Sequence, residues 1–187
     1  MNKAIFLDRD GVINIDVELL RKIEDIKIID KVPEALRILK ERDFYLLCIS
    51  NQTVVARGLI TEKGVNNINE EINRRIIADC RIGIDGFYVC PHHPNADIKA
   101  YRKVCECRKP CHGMILQAAK DFDIDLSQSY MIGDRTSDIA AGKNAGCKTI
   151  LIKYDYSYRK LIGKDYDENI NPDFIVNSLY DATKIIM

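Results

Sequence analysis

The sequence contains no apolar run that approaches the roughly 20 residues needed for a membrane-spanning helix. It has no excess of either charge, since 28 basic residues balance 28 acidic ones. A balanced chain projects no global field, so neither nucleic acid nor an anionic membrane is expected as a partner. No internal repeat or low-complexity stretch is visible. Met1 runs almost at once into an apolar segment, which leaves no room for a signal peptide. A cytoplasmic location follows as the expectation. No block stands apart from the alternation of strands and helices as a lid-like second domain. One domain over residues 1–187, large enough for a substantial core, is therefore expected, with a site covered only by loops. A monomer is the expected state.

Against these absences stands the stretch Ala4-Ile5-Phe6-Leu7-Asp8-Arg9-Asp10-Gly11. A short unbroken apolar run reads as a strand buried on both faces, as in a parallel sheet. It ends in two carboxylates and a glycine that permits a sharp turn. Open α/β sheets hold their ligands at the carboxyl ends of such strands. A bare D-x-D is most often a solvated turn. Two close acids at a buried strand end repel each other unless a cation or proton compensates. Mg²⁺ suits them, being a hard ion held by one or two carboxylates. An aspartate so neutralised can attack a phosphoryl group, and the second acid can protonate the leaving oxygen and then activate water.

Further apolar runs follow at Tyr45–Ile49, Gly86–Val89, Ser129–Ile132, Thr149–Ile152 and Phe174–Val176. Helices are expected over 32–42, 61–80, 113–121, about 136–146 and 178–186. Pro33 and Thr61 mark helix starts, and Gly146 marks a stop. Residues 15–31 are mixed, with Ile26-Lys27-Ile28-Ile29 a candidate short β element, and residues 153–172 show no clear period. Strands alternating with helices imply right-handed crossovers and a doubly wound parallel α/β sheet of the Rossmann type.

The other strand ends are polar too. Ser50-Asn51-Gln52-Thr53 follows the second strand, and its hydroxyls and backbone N–H groups can bind phosphate oxygens. Arg57 is a second candidate anion contact. Arg108-Lys109-Pro110 comes after the third strand, and Gly133-Asp134-Arg135-Thr136-Ser137-Asp138 after the fourth. Lys109 can neutralise a phosphoryl oxygen, and Asp134 can complete a Mg²⁺ site. Each alone reads equally well as a solvated lysine or a helix cap. Together they are convergent polar groups in one cleft.

Seven cysteines is an odd count, and three crowd between Cys105 and Cys111. Cys90-Pro91-His92 and Cys105-Glu106-Cys107 form two close ligand pairs. Thiolates and an imidazole so spaced suit a closed, tetrahedral and therefore structural Zn²⁺ site that staples the intervening loop. His93, Cys111 and His112 are spare ligands that break the paired spacing.

These motifs, over about residues 3–152, resemble the haloacid dehalogenase superfamily of phosphatases. The run C-P-H-H-P…C-E-C-R-K-P and the run S-N-Q-T-V-V-A-R-G resemble its heptose-bisphosphate branch, which is related to the histidinol phosphatases. The resemblance implies Asp8 as nucleophile and Mg²⁺ ligand, and Asp10 as general acid/base with its backbone carbonyl on Mg²⁺. It implies Ser50 and Lys109 as stabilisers of the phosphoryl group, with Asp134 on Mg²⁺. Asn51, Arg108 and Arg135 would serve a phosphorylated sugar, and Cys90, His92, Cys105 and Cys107 would hold zinc. Val12 stands where the family usually has threonine, Ser50 replaces a threonine, and Cys111-His112 replaces a histidine-led pair. Histidinol-phosphate phosphatase is the alternative within the class. A phospho-accepting regulatory domain and a zinc-stapled binding module are alternatives outside it. Asp10 argues against the regulatory domain, because an adjacent acid/base would shorten the life of a phosphoaspartate.

Overall fold

The structure, a computed structural model, describes residues 1–153 and 170–186. Most of the segment read as aperiodic over 153–172 lies outside the described residues.

The first strand, β1 (Lys3–Leu7), is followed after a long loop by helix α1 (Val32–Glu41) and strand β2 (Phe44–Asn51). A one-turn helix, α2 (Thr53–Ala56), leads to the long helix α3 (Glu62–Cys80) and then β3 (Gly86–Cys90). After an irregular loop come α4 (Gly113–Phe122), β4 (Tyr130–Gly133), α5 (Thr136–Ala145) and β5 (Lys148–Ile152). Strand β6 (Phe174–Val176) and the short helix α6 (Leu179–Ala182) follow the undescribed stretch.

All strand pairs are parallel, in the order β3-β2-β1-β4-β5-β6. The chain winds outward from β1 through β2 to β3, then crosses to β4 on the other side of β1. That crossing is the topological switch point, where such sheets bind ligands. Leu7 pairs with Cys48 on β2 and Ile132 on β4. The register therefore brings Asp8, Ser50 and Asp134 to one edge of the sheet.

The strands are buried on both faces, which is why they read as unbroken apolar runs. Ile5, Leu7, Leu46, Cys48 and Ile132 pack with α1, α3 and α6. Ala4, Phe6, Leu47, Ile49 and Met131 pack with α4 and α5.

The helix signals act as expected at several ends. Thr61 Oγ1 accepts the Gly64 N–H at 3.1 Å as the N-cap of α3. Gly146 closes α5 at φ 86°, a left-handed position. Three details differ from the sequence reading. The polar run after β2 is not a plain loop, because β2 continues to Asn51 and α2 begins at Thr53. The short β element expected over Ile26-Lys27-Ile28-Ile29 is reduced to one antiparallel bridge, Ile28 with Asn14. The last helix is one turn long, and the carbonyls of Thr183 and Ile186 beyond it accept from Arg42 at α1's C-terminus. Among the described residues no helix is long and apolar enough to cross a membrane.

Candidate active site

The site grows from the end of β1. The Asp8 amide donates to Ile132 O on β4 at 3.0 Å, which fixes the aspartate between the two strands. The chain then reverses, with the amides of Ile13 and Asn14 both donating to Arg9 O. Gly11 sits in this turn at φ 88°. A Cβ there would lie 2.6 Å from Asp134 Oδ2, so the turn is glycine for two reasons, its backbone angle and the acid seated on it.

Asp8, Asp134 and Asp138 place one carboxylate oxygen each within 4.8 Å of one another. Lys109 enters this group from the far loop and is almost fully buried. Its Nζ lies 2.8 Å from Asp8 Oδ1, 2.7 Å from Asp138 Oδ1 and 2.6 Å from Ile49 O. The ammonium thus donates to Asp8 and to the Ile49 carbonyl and pairs by charge with Asp138. Asn51 holds the lysine's backbone in place. Its amide accepts from Lys109 N at 3.1 Å and donates to Lys109 O at 3.0 Å. The side chain expected to serve substrate is therefore committed to positioning Lys109.

The electrostatics follow from this crowding. Burial pushes the Asp8 carboxyl up to about 6, with Asp138 adding to the rise and Lys109 opposing it. Burial, then the charges of Asp8 and Asp138, hold the Asp134 carboxyl well above the usual range. Burial works against the charge on Lys109, but Asp138 and Asp8 outweigh it and hold the ammonium protonated. Three acids against one lysine leave an excess of negative charge on hard oxygen donors. That donor set fits a hard divalent cation. Asp138 is engaged from within the protein, since Lys109 Nζ forms an ion pair with Oδ1 at 2.7 Å and the Arg135 amide donates to Oδ2 at 3.0 Å. Asp8 and Asp134 remain the pair best suited to hold a metal.

Asp10 points into a different set of partners. Arg9 Nη2 approaches its Oδ2 at 2.8 Å, Gln52 Nε2 donates to the same oxygen at 2.8 Å, and Asn14 Nδ2 donates to Oδ1 at 2.8 Å. Burial raises its pKa, but Arg9, Asn14 and Gln52 outweigh burial and hold Asp10 ionised below the usual range. Gln52 Nε2 also donates to Ser50 Oγ at 2.7 Å, tying Ser50 to Asp10.

The four sulfur and imidazole ligands expected from the sequence come together. Cys90 Sγ lies 3.0 Å from Cys107 Sγ and 3.6 Å from Cys105 Sγ, and Cys107 Sγ lies 3.2 Å from Cys105 Sγ. His92 Nδ1 completes the group at 3.3 Å from Cys107 Sγ and 3.7 Å from Cys90 Sγ. All four cysteine and histidine ligand atoms fall within 4.8 Å of one another and none of these thiols is in a disulfide. Four soft ligands converging on one point fit a tetrahedral Zn²⁺. His93, Cys111 and His112 are not part of this group. The loop is packed tightly on α4, because a Cβ on Gly113 would meet Glu106 O at 2.5 Å.

The remaining residues singled out in the sequence lie outside the Asp8 group. Arg108 Nη1 donates to His92 O at 3.1 Å, which couples its direction to the cysteine loop. Arg135 Nη2 pairs with Asp16 Oδ2 at 3.0 Å. Thr53 opens α2. Arg57 lines a cleft of about 290 Å³ with Ala56, His93, Asn95, Ala96 and Asp97, and none of the Asp8 group lines it. Sequence reasoning passed over Asp138, Arg9, Asn14, Asn69 and Asp16. The signal for Asp138 was its place four residues after Asp134, one helical turn on.

Comparison with known proteins bears on what this arrangement does. The chain is 41% identical over 187 residues to D-glycero-beta-D-manno-heptose-1,7-bisphosphate 7-phosphatase of Escherichia coli strain K12, covering 98% of this chain and 93% of that protein. It is 38% identical over 186 residues to the enzyme of the same name from Yersinia pestis, covering 98% and 94%. The chain belongs to the haloacid dehalogenase-like phosphatases. The family profile described as "HAD-hyrolase-like" matches residues 106–182, the segment of this phosphatase that supplies Lys109, Asp134 and Asp138. The crystal structure of D,D-heptose 1,7-bisphosphate phosphatase from B. bronchiseptica, complexed with magnesium and phosphate, superposes on this phosphatase with a TM-score of 0.80 at 27% identity. It covers 98% of this chain and 97% of that one.

Proposed function

We propose that this phosphatase is Mg²⁺-dependent and removes the 7-phosphate of D-glycero-β-D-manno-heptose 1,7-bisphosphate through an aspartyl-phosphate. The observation that carries the reading is Lys109 held between Asp8 and Asp138, with Asp134 beside them at the next strand end. The full-length identity to heptose-bisphosphate 7-phosphatases supports the substrate. The magnesium and phosphate in the B. bronchiseptica structure support the metal and the phosphoryl group.

Asp8, Asp134 and the backbone carbonyl of Asp10 would hold Mg²⁺, which supplies charge neutralisation at the phosphoryl oxygens. The Asp8 carboxylate attacks phosphorus, and the bond from phosphorus to the sugar oxygen breaks. Asp10, ionised in the resting site, first takes up a proton carried in by the phosphate monoanion of the substrate and then gives it to that oxygen. Asp10 then takes a proton from water, whose oxygen attacks the aspartyl-phosphate and releases phosphate with Asp8 restored. Lys109 and Ser50 bear on the phosphoryl oxygens, and Asp138 holds Lys109 charged and aimed. Arg108 and Arg135 supply positive charge for a bisphosphate, and Arg57, in its own cleft, would serve its second phosphate. Gln52 and Thr53 complete the loop that faces it.

Cys90, His92, Cys105 and Cys107 hold a structural Zn²⁺ that sets the direction of Arg108 and Lys109, two residues that directly follow the last ligand. We take the working unit to be a cytoplasmic monomer, since one chain supplies every group named.

A panel of the heptose bisphosphate, histidinol phosphate and simple hexose phosphates, assayed with Mg²⁺, tests the substrate. The heptose bisphosphate should show the highest kcat/KM. Faster turnover of histidinol phosphate would replace the sugar reading with the amino-alcohol one.

A further inference from the structure

Arg9 lies between the two acids of the first motif, yet it is not at the surface. Its side chain is fully buried. A buried guanidinium is costly unless its donors are paired and bonded. Here they are. Nε and Nη2 reach Asp10, Nη2 also reaches Gln52 Oε1 at 2.9 Å, and Nη1 donates to Asn69 Oδ1 at 3.0 Å.

Asn69 is the unexpected partner. It stands on α3 among Val65, Ile68, Ile72 and Ile76, the residues that face the core, and is itself buried. An apolar residue would serve that stripe better, because a buried amide costs free energy unless its hydrogen bonds are made. The bond to Arg9 is what the amide does there. It ties α3 to the turn after β1, across 60 positions of sequence.

The chain of contacts then runs one way. Asn69 orients Arg9, and Arg9 grips Asp10 and the carbonyl end of Gln52. Gln52 turns its other end to Asp10 and Ser50. We propose that Asn69 is a positioning residue, which fixes Arg9 and through it the place of the Asp10 carboxylate during the reaction. The proposal rests on the reading of Asp10 as the acid/base group. Loss of the anchor leaves Asp8, Lys109, Arg108 and Arg135 untouched, so substrate binding should persist while proton transfer slows. Small misplacement of a reacting group is enough to cost up to about 100-fold in rate.

The test uses Asn69→Leu, Asn69→Asp, Asp10→Asn and the double variant Asp10→Asn/Asn69→Leu in the full chain, with the best substrate of the panel and saturating Mg²⁺. Folding is checked by circular dichroism and thermal melting. Asn69→Leu should lower kcat about 10- to 100-fold with KM little changed. Asn69→Asp keeps an acceptor within reach of Arg9 and should retain most of the turnover. The double variant should be no slower than Asp10→Asn alone, because the two changes act through one group. The proposal is overturned if folded Asn69→Leu keeps wild-type kcat, if Asn69→Asp loses as much as Asn69→Leu, or if the two losses add in full. Asn69→Thr replaces Asn69→Leu if that protein does not fold. Unchanged turnover in Asp10→Asn would instead remove the acid/base reading itself, a separate outcome.

Discussion

At the scale of single residues, the site runs on unequal treatment of its carboxylates. Asp8 and Asp134 are buried and crowded by Asp138, so protonation is favoured, whereas Asp10 is held ionised by Arg9. The consequence for pH has a definite sign. A buried carboxyl raised to about 6 binds a proton more tightly folded than unfolded, where its ordinary value is 3.8. Without a divalent cation, stability is lost as pH rises through that window, because the folded state must give up a proton it favours. Mg²⁺ competes for the same oxygens, so its stabilising effect should be larger at pH 7 than at pH 5. Melting temperatures with and without Mg²⁺ at the two values check this, and an equal shift at both would contradict it. Asp8→Asn keeps the shape and removes the attacking charge, so steady-state turnover should fall to background in a folded protein. The four cysteine and histidine ligands were legible from their spacing, and Asp8, Asp10 and Asp134 from their strand ends. Arg9 and Asn69 were not. An arginine beside an acid reads as a solvated charge, and its partner lies 60 residues away.

At the scale of elements, the buried strands were legible because both faces of the sheet are covered and the apolar runs are unbroken. The one-turn helix α2 was not, since Thr53–Ala56 is too short to show a helical period. The junction between β4 and α5 illustrates what such elements must satisfy together. Gly133 ends the strand, and a Cβ added there would lie 2.2 Å from Asp138 Cβ and 2.3 Å from Asp138 Oδ2. The strand can approach the helix's first turn only without a side chain. Gly133→Ala should push Asp138 off Lys109, destabilise the fold by about 1–3 kcal/mol as overpacking does, and lower kcat. Denaturant melts and steady-state rates on the same preparation check both effects. Wild-type stability would mean that the helix yields without strain.

At the scale of the whole molecule, the loop between β3 and α4 delivers Arg108 and Lys109 and carries the four cysteine and histidine side chains proposed to hold a metal. We expect about one tightly held Zn²⁺ per chain, distinct from exchangeable Mg²⁺. Its affinity should weaken in acid, since the thiols must give up their protons to bind. A Cys105→Ser/Cys107→Ser double variant should lose the metal, melt at a lower temperature and bind substrate more weakly, yet still form the aspartyl-phosphate slowly. Metal analysis of the two purified proteins decides it. Zinc retained unchanged by the variant, or a fully active wild type containing none, would remove the site.

The position of β1 has a consequence for how the protein comes into being. It precedes the other strands of this sheet in the chain, but it lies in the middle of the sheet, with β2 on one side and β4 on the other. A ribosome therefore delivers Asp8 before Lys109, and Asp134 and Asp138 later still. While β4 is unmade, one edge of β1 has no neighbour and Asp8 has neither its amide's acceptor on Ile132 nor the lysine's second anchor on Asp138. Pairing strands so distant in the chain is slow, because long loops must close before any contact rewards them. The half-born chain thus carries an aspartate with nothing to aim or neutralise it. Insertion of β4 beside β1 closes the gap at the centre of the sheet and brings the acids of the site together, before β5 and β6 extend it.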